Sequence, residues 1–232
     1  ESGATAGHVN IEGGKSFSSG IGGNVVVRGG HSTDAAGGSM SITSGSSKAA
    51  SSGNIVIESH KSDSNSGKIT LQTGGSDAGA SGSIELGSGA SDSRSGSVTV
   101  ATGRSAAGDG GALEIRSGDT ASDKQGGTIS LNAGSSEGIG GALRFAAGAG
   151  QSKGGEVSVK TGTGASSSGD LTMSTTDALR SGEVSVATGA SGSGMSGAQN
   201  IMTGRASGGP SGDITIAVGS GSAASGGDII MA

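Results

Sequence analysis

A short unit recurs along the whole chain: Gly, any residue, aliphatic, any, aliphatic, any, small, Gly. Clear copies are Gly96-Ser-Val-Thr-Val-Ala-Thr-Gly103, Gly67-Lys-Ile-Thr-Leu-Gln-Thr-Gly74 and Gly182-Glu-Val-Ser-Val-Ala-Thr-Gly189. Copies begin at Gly7, Gly23, Gly38, Gly53, Gly67, Gly82, Gly96, Gly111, Gly127, Gly141, Gly155, Gly169, Gly182, Gly197, Gly212 and Gly227, sixteen in all. Internal repetition at a fixed short period restricts a chain to stacked, one-dimensional architectures.

Within each copy, aliphatic and polar residues alternate strictly, the pattern of a strand with one buried face. The inward pairs run Val9/Ile11, Val25/Val27, Met40/Ile42, Ile55/Ile57, Ile69/Leu71 and onward to Ile229/Met231, with one lapse where Gln199 precedes Ile201. Between copies lie arcs of Gly, Ser, Ala and Asp, too poor in apolar residues for a helix. A Gly closes 13 of the 15 copies that reach that position, His60 and Thr176 being the exceptions. That frequency implies either a special backbone angle or a close approach that a side chain would block.

The residues between each aliphatic pair fall into two sets. Odd-numbered copies carry Asn10, Ser41, Thr70, Thr99, Ser130, Ser158, Ser185 and Thr215, whereas even-numbered copies carry Val26, Val56, Glu85, Glu114, Arg144, Thr172, Asn200 and Ile230. Even copies are also separated by a nearly constant 28 to 30 positions, while single steps vary from 13 to 16. Both facts predict an all-β, parallel two-sheet β-solenoid of about eight coils of about 29 residues, two strand-and-turn repeats per coil. Strands about 4.8 Å apart and sheets about 10 Å apart would enclose a dry aliphatic seam. A charge at Val100 should then be far more damaging than one at Thr99. A rival coil half that size, with one repeat around, stays open.

Composition supports a thin, regular interior. The 232 residues include 52 Gly, one Pro, two Phe and no Cys, Trp or Tyr, so no aromatic mass is present to fill an ordinary core. Gly- and Ser-rich tracts can also be flexible linkers, and it is the periodicity that argues for order. The expected organisation is one continuous solenoid over residues 1–232. Its pattern begins by Gly7 and reaches Ala232 without an atypical terminal repeat, so the segment reads as part of a longer array whose uncapped ends pair with further coils. No charged-then-apolar leader stands at Glu1, as in a processed or excised product.

Function classes narrow in the same way. A net charge of -5 with 14 scattered Lys and Arg argues against nucleic acid as a partner. No apolar run reaches the roughly 20 residues of a membrane span. Absence of Cys removes a disulfide framework and thiolate metal sites. No hydroxyl has a consistent base and orienting acid beside it, so the chain is not expected to be an enzyme. Gly-x-Gly strings such as Gly162-Thr-Gly164 lack a following helix and read as turn chemistry.

The most ordered candidate surface is a hydroxyl ladder on the odd face: Ser41, Thr70, Thr99, Ser130, Ser158, Ser185 and Thr215. At strand spacing it could meet a regular partner such as ice, a crystalline polysaccharide or another copy. Hydroxyl and β-branched residues also simply suit strands, and Lys68, Gln72, Glu156, Lys160 and Glu183 roughen the same face. Asp34, Asp63, Asp92 and Asp119 recur in the even arcs, where stacking would bring carboxylates together and Ca²⁺ could relieve their repulsion; solvated loop charges are the simpler account. His31 and His60 fall in successive even arcs without a third ligand, and His8 lies elsewhere. No cofactor is otherwise implied.

The Gly-x-Val-x-Val-x-Thr-Gly units resemble the long Gly/Ser-rich repeats of algal and other protist surface proteins, and the Thr-bearing coils are similar in style to ice-binding solenoids. The resemblance covers nearly the whole chain. It implies a structural module of an extracellular filament, coat or adhesive stalk at the cell surface, a stiff self-associating β-rod, with ice or polysaccharide binding as the alternative. Ice binders of that kind carry two matched Thr columns, whereas one is present here. An enzyme like the pectin-cleaving parallel β-helices would need long loops and acidic clusters that are missing.

Overall fold

The computed structural model describes residues 6–221 and 226–231; Glu1 and Ala232, on which the expectations about the termini rest, lie outside them. The chain divides into two units, Glu1–Ile115 and Arg116–Ala232. The boundary falls inside the eighth copy, between Ile115 and Arg116.

Among the described residues there is no helix and no β-strand. The parallel two-sheet β-solenoid is therefore not the fold of this chain, and the rival one-repeat coil, which needs the same kind of sheet, falls with it. The physical reason is the difference between a pattern and a pairing. Period-two alternation states that a segment could bury one face; a sheet also requires a neighbouring backbone about 4.8 Å away to take its N–H and C=O groups. Here residues twelve or more apart in sequence rarely approach within 8 Å, so the aliphatic segments run without ladder partners.

Copies and arcs are nevertheless visible in both units. The backbone bends sharply within the arcs, at residues 33–35, 48–50, 77–79 and 106–108 in the first unit and at 137–139, 192–194 and 207–209 in the second. A recurring backbone hydrogen bond joins one copy to the next. In the first unit Gly23 donates to the carbonyl of Gly14 at 2.7 Å, Gly38 to Gly30 at 2.9 Å and Gly53 to Gly45 at 2.9 Å. In the second, Gly127 donates to Gly118, Gly141 to Gly134, Gly155 to Gly148, all at 2.9 Å, and Gly169 to Gly162 at 3.0 Å. Each is the same clasp, from the opening Gly of one copy to the closing Gly of the copy before.

The clasp calls for small residues beside the closing Gly and at the next opening Gly, not at the closing Gly itself. No described glycine has a positive φ, so a special backbone angle is not the role of the closing glycines. Nor is close approach: a Cβ on Gly14 or Gly30 would meet nothing within 4 Å, whereas one on the preceding Gly13 would collide with the Gly23 carbonyl oxygen, and one on Gly29 with that of Gly38. The residue before the closing Gly modulates the clasp. It is Gly13, Gly29, Ser44, Ser117, Ala133 or Ala147 in six of the seven clasped arcs. In arcs without a clasp it is often Thr, as at Thr73, Thr102, Thr175 and Thr188, whose side-chain carbons face the next opening Gly. A β-branched side chain there disfavours the clasp without excluding it, since Gly169 still bonds Gly162 at 3.0 Å beside Thr161.

No described residue is buried, and only Gly13, Ser32 and Ser44 are of intermediate exposure. The aliphatic pairs share this exposure. Ile84, among the better covered, is 47 % exposed, and its pair-mate Leu86 is 73 % exposed. The expected inside and outside are not distinguished: Val56, placed outward by the alternation, is 73 % exposed, while Ile57, placed inward, is 72 % exposed. Val100 is likewise solvent-facing at 66 %, so the dry seam that would have made it intolerant of charge does not form.

The accessible surface of the chain is 23259 Å². A compact monomer of 21.4 kDa would expose about 9,100 Å², and its fully unfolded chain about 31,000 Å². Most of the surface that folding ordinarily removes from water therefore remains in contact with it.

Candidate functional site

The seven hydroxyl residues expected to form a ladder, Ser41, Thr70, Thr99, Ser130, Ser158, Ser185 and Thr215, are all exposed and lie on aliphatic segments between bends. No sheet sets them at strand spacing. Ser130 alone among them has a side-chain partner shown, its Oγ accepting from Asn132 Nδ2 at 2.8 Å, a contact within one copy.

The arc residues are no more convergent. Thr33 Oγ1 donates to Asp34 Oδ2 at 3.1 Å, and no group of three or more His, Asp or Glu able to hold a metal ion occurs among the described residues. Asp34, Asp63, Asp92 and Asp119 thus stand in separate arcs, as do His31 and His60. The ion pair between Lys124 Nζ and Asp123 Oδ1, 3.9 Å long and with both side chains exposed, contributes about 0–1 kcal/mol. An open hollow of about 510 Å³ is bordered by Thr203, Gly204, Arg205, Ala206, Gly209 and Ser211. All six are exposed, so it cannot exclude water from a ligand.

One pattern of the arcs escapes a reading of the sequence by composition. The residue two positions after the closing position of a copy is repeatedly a hydroxyl residue whose Oγ accepts a backbone N–H further along the arc. Ser32 accepts from Ala35 at 3.1 Å, Ser47 from Ala50 at 2.9 Å, Ser76 from Gly79 at 3.0 Å, Ser105 from Gly108 at 2.9 Å and Ser191 from Gly194 at 3.1 Å. Ser62, Ser91, Thr120 and Ser136 do the same to the amide two residues on. These side chains stand in for a backbone acceptor and set the bend. The signal is a fixed offset of two from Gly30, Gly45, His60, Gly74, Gly89, Gly103, Gly118, Gly134 and Gly189, hidden because Ser is common throughout the arcs.

The lapse at Gln199 also acquires a role. Its Nε2 donates to the carbonyl of Val186 at 2.8 Å, tying its copy to the preceding one through a side chain where other copies carry an aliphatic residue.

Chemically, the described surface offers isolated hydroxyls, dispersed charges of both signs and regularly spaced aliphatic pairs. It brings no nucleophile, base and orienting group together. No protein-family model, no curated protein sequence and no solved structure matches this chain. No helix among the described residues is long and apolar enough to cross a membrane.

Proposed function

We propose that this chain is a structural repeat module of an extracellular filament, coat or adhesive stalk, working through assembly rather than through a catalytic or ligand-binding centre. One observation carries the reading: aliphatic pairs recur along both units, one pair to a copy except where Gln199 stands, and remain exposed. Solvent-facing aliphatic surface of this extent is characteristic of an interaction surface. Its regular spacing suits a repetitive material. The clasped, Ser-capped arcs support the same reading, since they fix the spacing of successive pairs through backbone and short side chains. The uniform Gly/Ser/Ala composition keeps the backbone accessible to neighbours.

Binding of ice or a crystalline polysaccharide would need the hydroxyls held in a flat array, and no described sheet holds them so. Surface labelling tests the proposal. An antibody raised against the chain should stain intact source cells or their shed matrix before permeabilisation. Staining confined to permeabilised cells would overturn it.

A further inference from the structure

The exposed aliphatic pairs call for a partner. We propose that it is a second copy of this chain, seated so that the pairs of one copy meet the pairs of the other; this rests on the reading of the chain as an assembling structural module. Three features select a like chain over an unrelated apolar partner.

The first is spacing. The pairs recur once per copy in a sequence-specific order of longer and shorter steps, and another chain of the same sequence offers the same order. The second is area. An aliphatic side chain has about 60–120 Å² to cover, and with roughly half to three-quarters still exposed a pair offers about 60–180 Å². A specific interface needs about 800 Å² from each partner, which falls within the span that the eight or so pairs of one unit offer. The third is charge and bulk. Lys and Arg number 14 against 19 Asp and Glu, for a net charge of -5, so like copies meet with little net repulsion. Gly, Ser, Ala and Thr flank the pairs and let two backbones come close.

The absence of Cys makes the proposal directly testable with single introduced thiols in the full chain. Val98→Cys places a thiol in an aliphatic pair, and Asp92→Cys places one in an arc. Under mild oxidation at matched concentration, Val98→Cys should form covalent dimers at least tenfold faster than Asp92→Cys. The unmodified chain should gain mass above 21.4 kDa as concentration rises in sedimentation equilibrium. Equal cross-linking rates at the two sites, or a chain that stays at monomer mass throughout, overturns the proposal. Surface labelling separates this failure from that of the functional reading: a monomeric chain found on intact cells defeats only self-association, and a self-associating chain found only inside cells defeats only the extracellular role.

Discussion

The amide of Gly23 donates to the carbonyl of Gly14 at 2.7 Å, closing the arc between the first two copies. A Cβ on Gly23 would lie 2.7 Å from the Gly14 nitrogen, closer than packed atoms tolerate, and the neighbour it meets is backbone. Gly23→Ala should therefore open this arc. A hydrogen bond worth about 0.5–1.5 kcal/mol net corresponds to a rise of about 2- to 13-fold in amide exchange at residue 23, measured by NMR. Gly7→Ala, with nothing within 4 Å of the added carbon, should leave that rate as it was.

The link between clasping and the preceding residue gives a test in the opposite direction. The Thr102 Cβ lies 3.3 Å from where a Gly111 Cβ would stand, and no clasp from Gly111 to Gly103 is seen. Thr102→Ala should permit that clasp, slowing exchange at the Gly111 amide by a similar factor of about 2 to 13. Ser117→Thr should loosen the existing bond from Gly127 to Gly118. Exchange rates that ignore both changes would show that the side chain does not control the arc.

Surface exposure sets the response to denaturant. Unfolding from 23259 Å² to about 31,000 Å² uncovers about 8,000 Å², roughly a third of the 22,000 Å² expected for a compact chain of this mass. Because the urea m-value scales with surface uncovered, the dilute chain should show about a third of the usual slope, followed by circular dichroism. A steep, cooperative transition in dilute solution would mean that the isolated chain hides far more surface than this.

Charge at an aliphatic position should matter only on assembly. Val100 is 66 % exposed and Thr99 is also exposed, so Val100→Asp and Thr99→Asp should each change the stability of the dilute chain by no more than about 0.5 kcal/mol. At high concentration Val100→Asp should weaken self-association while Thr99→Asp spares it, because the first puts a charge where another copy's aliphatic side chains would sit. Sedimentation of both variants alongside the parent chain gives the comparison.

The sixteen copies, their boundaries and the position of the bends are all legible in the sequence, because Gly and small polar residues act locally, through steric freedom and short-range hydrogen bonds. The Ser32-to-Ala35 and Ser76-to-Gly79 contacts belong to this class and are readable from their constant offset. The ladder of Ser41, Thr70 and Thr99 cannot be settled in that way. Its existence depends on which copies lie side by side, and alternation within a copy says nothing about its neighbours.

Sequence by itself determined the unit of construction: an aliphatic pair, a closing Gly in most copies and an arc of small residues, recurring from Gly7 to Gly227. Tertiary structure alone decided what the pairs do. Successive copies are tied at their arcs by bonds such as Gly38 to Gly30, and no strand ladder forms between copies among the described residues. The physical reason is range. A clasp closes a short loop within one arc, as from Gly148 to Gly155, and costs little chain entropy. A sheet needs many segments of backbone brought into pairing distance together, with apolar burial large enough to offset their ordering.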